Sequence, residues 1–219
     1  MAGFIFDMDG CLLDSINLWF DSEQYVLDMV GAKLTKDERD ELNTLTLEEA
    51  GDWFHDKFGV MGSGEEVART IVDYMIDSYR NKVQPNPGVT EFVAALHNAG
   101  APMCVLSSSP QEFLQAGLGH ADLKQYFEED LIISAEDRGW TKRNPETFQR
   151  ACALLGTEPA ETWLFDDSWY AVQTAHETGL HVVGTHSSDR CGTHEELGRY
   201  ADKVIDDFTA LNPADFLNE

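Results

Sequence analysis

The sequence predicts an α/β fold, a doubly wound parallel sheet core with an inserted all-helical domain. Three observations predict it. The apolar run Gly3-Phe4-Ile5-Phe6 ends in the acidic turn Asp7-Met8-Asp9-Gly10, the pattern of a buried strand that delivers carboxylates at its carboxyl end. Residues 16 to 82 carry helical periodicity and no strand signal. Beyond residue 88, short apolar runs alternate with amphipathic segments, the texture of a parallel sheet covered by helices on both faces.

Taken in order, Ile16, Trp19, Phe20, Leu27 and Val30 fall near one helical face, and Gly31 closes that segment. Thr35 opens Lys36-Asp37-Glu38-Arg39, and Thr46 with Glu49 three residues on has the form of a capping box ahead of Trp53, Phe54 and Phe58. Ser63 caps a segment in which Val67, Ile71 and Met75 share a stripe. The stretch Val83-Gln84-Pro85-Asn86-Pro87-Gly88 stops helices and marks the domain boundary. Thereafter a helix through Val89, Phe92, Val93 and Leu96 ends by Gly100, Met103 to Leu106 is a strand, and Pro110 begins a helix at its first position. Leu131-Ile132-Ile133 is a strand, Pro145 to Leu155 a helix, Trp163-Leu164-Phe165 a strand, Val172 to Thr178 a helix and His181-Val182-Val183 a strand. Residues 203 to 211 add an edge strand.

The composition narrows the chemistry. With 219 residues, 42% of them hydrophobic, the chain can bury a large core. Fifteen Lys and Arg against forty Asp and Glu leave a net charge of −25, which repels phosphate backbones and anionic lipid, so neither nucleic acid nor membrane is an expected partner. An acidic excess of this size is also what a saline or crowded habitat selects. Apolar runs fall far short of a membrane span and no cleavable leader precedes the first strand, so a soluble cytoplasmic protein, a monomer or weak dimer, is expected. The four cysteines, at 11, 104, 152 and 191, form no paired motif and are expected reduced.

Polar groups gather at the predicted strand ends. Asp7 and Asp9 repel one another unless a cation lies beside them, which points to a hard ion such as Mg²⁺; the bland alternative is an acidic turn. An EF-hand is excluded, because Cys11 and Leu12 stand where its loop needs an oxygen ligand and a glycine. Gly10 permits a tight turn and bares amides to an anion. Ser107-Ser108-Ser109 offers hydroxyls and amides to an anion, or else only caps the next helix. Asp166 and Asp167 are adjacent carboxylates that need a metal or must titrate. Lys142 lies between the Leu131 strand and the helix that begins near Pro145, where a lysine is ordinarily solvated surface. Together Asp7, Asp9, Asp166 and Asp167 can hold Mg²⁺, while Ser107 and Lys142 neutralise phosphate oxygens. His186 to His194, with Cys191 between, has metal-ligating residue types but lacks a fourth ligand and reads as a polar loop.

This arrangement resembles the haloacid dehalogenase superfamily, in particular its subfamily I phosphatases and β-phosphoglucomutases with a helical cap after the first strand. Phe4 to Gly10 with Leu13-Asp14-Ser15 matches the first motif, Leu106-Ser107 the second, Lys142 with Pro145-Glu146-Thr147-Phe148 the third, and Phe165-Asp166-Asp167-Ser168 the fourth. Cys11, Arg143 and Ala171 depart from the usual residues without removing a catalytic group. The resemblance implies a Rossmann-like catalytic core of residues 1–15 and 83–219 and a helical cap of residues 16–82. It implies Asp7 as the nucleophile that becomes an aspartyl phosphate and Asp9 as general acid and base. Gly10, Ser107, Ser108 and Lys142 would bind phosphate, and Asp166 and Asp167 would hold Mg²⁺ with Asp7 and the Asp9 carbonyl. A Mg²⁺-dependent phosphatase acting on a small phosphorylated metabolite is the expected function. The alternatives are a phosphosugar mutase, disfavoured because residues 42 to 54 contain no Arg or Lys, and a noncatalytic, receiver-like phospho-acceptor. Asn17 and Trp19, at the start of the cap, are the expected substrate contacts there.

Overall fold

The strands are Gly3–Phe6 (β1), Met103–Ser107 (β2), Ile132–Ser134 (β3), Thr162–Asp166 (β4), His181–Thr185 (β5) and Lys203–Ile205 (β6). The structure, a computed structural model, describes residues 1–42 and 45–217. Its sheet runs β3-β2-β1-β4-β5-β6 with every pairing parallel. The chain starts at the centre, winds outward through β2 and β3, and returns to place β4 on the other side of β1. The topological switch point therefore lies between β1 and β4, where open sheets of this kind bind their ligands.

Between and beyond the strands lie the helices Ile16–Asp28 (α1), Lys36–Leu42 (α2), Leu47–Phe58 (α3), Gly64–Asn81 (α4), Val89–Asn98 (α5), Gln111–His120 (α6), Pro145–Leu155 (α7), Trp169–Thr178 (α8), His194–Leu197 (α9) and Pro213–Leu217 (α10). The chain divides into two compact units, Met1–Ile16 with Val83–Glu219, and Asn17–Lys82.

In the first unit both faces of the sheet are covered, which is why its strands read as continuous apolar runs. Phe6 stacks on Phe165 across the β1–β4 pair, with ring centroids 4.9 Å apart. Phe92 of α5 and Phe216 of α10 join that aromatic layer at 5.5 and 5.6 Å from Phe165. On the opposite face Ile5, Leu106, Leu164 and Val182 pack with Phe148 of α7 and Val172 of α8. The alternation of Phe and Ile or Leu along β1 and β4 thus feeds two different layers.

The loop that follows β1 is knit to the segment by which the chain returns. Asp14 N–H donates to the Gln84 carbonyl and Asn86 N–H to that of Leu12, both at 2.9 Å. The Asn86 side-chain amide donates to the Cys11 carbonyl at 2.7 Å.

The second unit consists of helices joined by turns, with no strand among its described residues. Thr46 and Glu49 form the reciprocal capping box of α3, and Ser63 accepts from Glu66 N–H at the start of α4. Val67, Ile71, Met75 and Tyr79 form the buried stripe of α4, and Phe54 that of α3. Lys57 lies over the Trp53 ring at 4.5 Å.

Four details differ from the sequence reading. Val30 lies beyond α1 and is exposed, because the chain turns at 29–31 and Gly31 takes a left-handed φ of 68°. Pro110 is the N-cap of α6, with ψ of 147°, and not its first helical residue. Leu131 ends a 3-10 turn that precedes β3. Residues 203 to 211 are not one strand: β6 stops at Ile205, and the Asp207 carboxylate accepts from Thr209 N–H at 2.8 Å. That local bond competes with the sheet ladder and turns Phe208 into the aromatic layer. No helix among the described residues is long and apolar enough to cross a membrane.

Candidate active site

Asp7 and Asp166 stand level on neighbouring strands, since Phe6 pairs with Phe165 and Asp7 N–H donates to the Phe165 carbonyl at 2.8 Å. Register alone brings the two carboxylates together at the switch point. Asp167 follows, and one oxygen from each of Asp7, Asp166 and Asp167 lies within 4.8 Å of the others. All three are buried.

Lys142 reaches the same cluster from the loop between β3 and α7. That loop is fixed by Ala135 N–H on the Ser107 carbonyl at 2.8 Å, by the Thr147 hydroxyl on the Thr141 carbonyl at 2.7 Å, and by Asn144 capping α7. The lysine is only 2% exposed, so it is not the solvated surface residue its type usually is. Its Nζ donates to Asp7 Oδ1 and, at 2.7 Å, to Asp166 Oδ2.

The charges are strained. Burial, and then repulsion from Asp166, pushes the Asp167 carboxyl up to about 7. Burial also pushes Asp7 well above the usual carboxylate range; the Lys142 charge opposes this, and the other carboxylates add to it. Against burial, which alone would lower it, the Asp166 and Asp7 carboxylates hold the Lys142 ammonium above its ordinary value. Ionised together, the three carboxylates and one ammonium would carry about two negative charges, which a divalent cation with oxygen preference would neutralise. The donor set fits Mg²⁺.

Asp9 is placed apart from this cluster. Its carboxylate accepts the Ser15 hydroxyl on Oδ1 and the Ser109 hydroxyl on Oδ2, each at 2.6 Å. The side chain of Asp9, grouped with the metal ligands from sequence, is therefore not one of the three that converge. Two donors fix the rotamer of Asp9.

Ser107 ends β2 and is buried, its oxygen accepting from Ser109 N–H at 3.1 Å, whereas Ser108 is exposed. The Gly10 amide, expected to be bare, donates to the Leu13 carbonyl at 2.9 Å. Gly10 has another role. Its φ is +77°, and a Cβ there would collide with Asp167 Oδ2 and meet Ser187 Oγ at 2.8 Å. Gly10→Ala is accordingly expected to cost about 1–3 kcal/mol in backbone strain alone and to displace Asp167, with a loss of activity larger than the loss of stability. Parallel urea denaturation and activity assays check it, and full activity in the variant would refute it.

Asn17 and Trp19 belong to the second unit, on α1. Asn17 is exposed and Trp19 half-buried, its carbonyl accepting the Ser22 hydroxyl at 2.7 Å. Cys11 is fully buried, its thiol donating to the Phe165 carbonyl at 3.4 Å and pushed upward by burial and then Asp7. It is an inert packing residue.

Sequence reasoning reads Ser109 as an anion donor or helix cap, names Ser15 and Ser168 only within motif matches and gives Ser187 no role, whereas Ser15 and Ser109 hold Asp9. Ser187 donates to Asp167 Oδ2, Ser168 N–H to Asp166 Oδ1 at 2.9 Å, and the Ser168 hydroxyl to Asp167 Oδ1 at 3.2 Å. The signal for Ser15, Ser109 and Ser168 was proximity to an acidic or strand-end motif. Ser187 follows β5 in sequence, and only the fold brings it to β4.

The model of the haloacid dehalogenase-like hydrolases matches residues 4–185. Hexitol phosphatase B of Escherichia coli (strain K12) is 30% identical, over 75% of this chain and 74% of its own. The phosphorylated carbohydrates phosphatase of Thermotoga maritima is 24% identical, over 84% of each chain. Among solved structures, CbbY from Rhodobacter sphaeroides in complex with phosphate shares the fold with a TM-score of 0.79 at 19% identity, covering 100% of both chains. The match spans the strand that carries Asp7 through the one before Ser187, and the chain belongs to the haloacid dehalogenase-like hydrolase family.

Proposed function

We propose that this hydrolase of phosphoric monoesters is a Mg²⁺-dependent phosphatase that acts on a small phosphorylated metabolite through an aspartyl-phosphate intermediate on Asp7. The observation that carries the reading is the Lys142 ammonium shared between Asp7 and Asp166, with Asp167 alongside and Asp9 held separately by two serines. Two carboxylates with different surroundings suit two different tasks.

The Asp7 carboxylate attacks phosphorus and the bond from phosphorus to the leaving oxygen breaks. Asp9 gives that oxygen its proton. Water then attacks the aspartyl phosphate, Asp9 takes its proton, and inorganic phosphate leaves with Asp7 restored. Ser107 and Lys142 hold the phosphoryl oxygens, and Ser15 and Ser109 keep Asp9 aimed during both proton transfers. Bound by Asp7, Asp166 and Asp167, Mg²⁺ supplies charge neutralisation for the transferring phosphoryl group.

Sugar and polyol monophosphates are the class to screen first, given the carbohydrate and hexitol phosphatases among the relatives. The expected result is phosphate release that requires Mg²⁺, is silenced by a chelator and is not restored by Ca²⁺, whose looser coordination misplaces the nucleophile. Activity in excess chelator would remove the metal from the reading. Conversion of glucose 1-phosphate to glucose 6-phosphate, in place of phosphate release, would make the chain a mutase.

Asn17 and Trp19 are proposed to select the leaving group, on the ground that they follow the catalytic loop within about one helical turn. Trp19→Ala should shift relative kcat/KM across a panel of phosphorylated metabolites more than it changes hydrolysis of a small acyl phosphate. A uniform loss across the panel would assign Trp19 to packing.

A further inference from the structure

His186, His194 and Asp206 take no part in the reaction above. His186 follows β5, His194 opens α9, and Asp206 follows β6. The β5–α9–β6 crossover sets them side by side: His186 N–H donates to the Ile205 carbonyl at 2.7 Å, which pins the two strand ends, and the Thr193 capping box starts α9 at His194. His194 Nε2 lies 2.9 Å and His186 Nδ1 3.5 Å from the same oxygen, Asp206 Oδ1, with the imidazole centroids 3.9 Å apart. Each residue thus offers a ligand atom within 4.8 Å of the other two.

A second carboxylate orients one of the rings. His186 Nε2 lies 3.0 Å from Asp189 Oδ1. A neutral imidazole donates from one nitrogen and presents a lone pair on the other. With its Nε2–H given to Asp189, His186 turns the Nδ1 lone pair toward the Asp206 oxygen, so two acceptors face each other. A cation between them resolves the conflict, and a carboxylate on the far nitrogen is the usual outer partner of a metal-bound histidine. Cys191, which lies between the two histidines in sequence, is set against Asp167 and Ser187 instead. The third ligand comes from Asp206, twelve residues beyond His194.

We propose that His186, His194 and Asp206 form a site for one borderline transition-metal ion of the Zn²⁺ or Ni²⁺ class, with Asp189 orienting His186. Two imidazoles and one carboxylate suit such ions and not Mg²⁺. The net charge of −25 raises the local concentration of any divalent cation.

Zn²⁺ titrated calorimetrically into the full chain in saturating Mg²⁺, which fills the oxygen-rich cluster, tests the site. The wild type is expected to bind one equivalent, and Asp206→Asn and the double variant His186→Ala/His194→Ala to bind at least about tenfold more weakly. X-ray absorption of the zinc-loaded wild type should show two imidazole ligands, a readout that needs no variant to fold. Metal-free thermal melts of the variants matching the wild type would attribute the weaker binding to lost ligands. Equal affinity in the double variant, or a zinc spectrum with oxygen ligands only, would overturn the proposal; in the latter case His186 is simply an imidazolium paired with Asp189 and Asp206.

Discussion

Asp7→Asn is expected to reduce phosphate release on the order of 10⁴-fold or more, because an amide cannot serve as the attacking carboxylate. The same substitution should leave the metal-free protein as stable as the wild type, or more stable. Asp7 is buried beside Asp166 and Asp167, and its carboxyl is pushed well above the ordinary range, chiefly by burial. A neutral amide of nearly the same shape still accepts from Lys142 and removes one of the mutually repelling charges. Lost turnover with retained or raised stability is a combination that general damage to the fold does not produce. Steady-state assays on an aryl phosphate, paired with urea denaturation in chelator, measure both halves. A variant that retains more than a trace of activity would remove Asp7 as nucleophile.

Much of this site was legible because its parts sit at strand ends, where a short apolar run meets a polar residue. Asp7, Ser107 and Asp166 could be placed that way, since each is the last residue of its strand or the next one along. The capping boxes were legible for a related reason: Thr46 with Glu49 is a contact over three residues, and its physics is local.

Longer-range features were not legible. Ser15, Ser109 and Ser187 look like ordinary turn serines in sequence, and their partners lie 6, 100 and 20 residues away. In sequence the Gly10 amide looks free for an anion, because its acceptor, the Leu13 carbonyl, depends on how the loop folds back. Likewise the apolar pattern makes β6 too long, because Val204 and Phe208 carry the same signal although one lies in the sheet and the other beyond an Asp207 turn. Asp206 went unread as a partner for His194 because a strand separates them.

Lys142→Met carries the largest expected loss of stability. The methionine keeps much of the stem's bulk but leaves Asp7 and Asp166 buried without their shared cation, and breaking a buried pair of this kind costs about 3–5 kcal/mol. The loss must depend on pH. Burial raises Asp7 and takes Asp167 up to about 7, and in both the Lys142 charge pulls the other way. Without it, both rise further. A carboxyl whose folded pKa lies above its unfolded value binds more protons in the native state between those two values, so stability falls as pH climbs through that interval. The deficit relative to wild type should therefore be larger at pH 8 than at pH 5. Mg²⁺ added at pH 8 should recover part of it by supplying the missing positive charge. Urea denaturation at both pH values, with and without Mg²⁺, gives the four numbers required. A deficit of equal size at pH 5 and pH 8 would mean that lost packing, and not carboxylate repulsion, is what the lysine prevents.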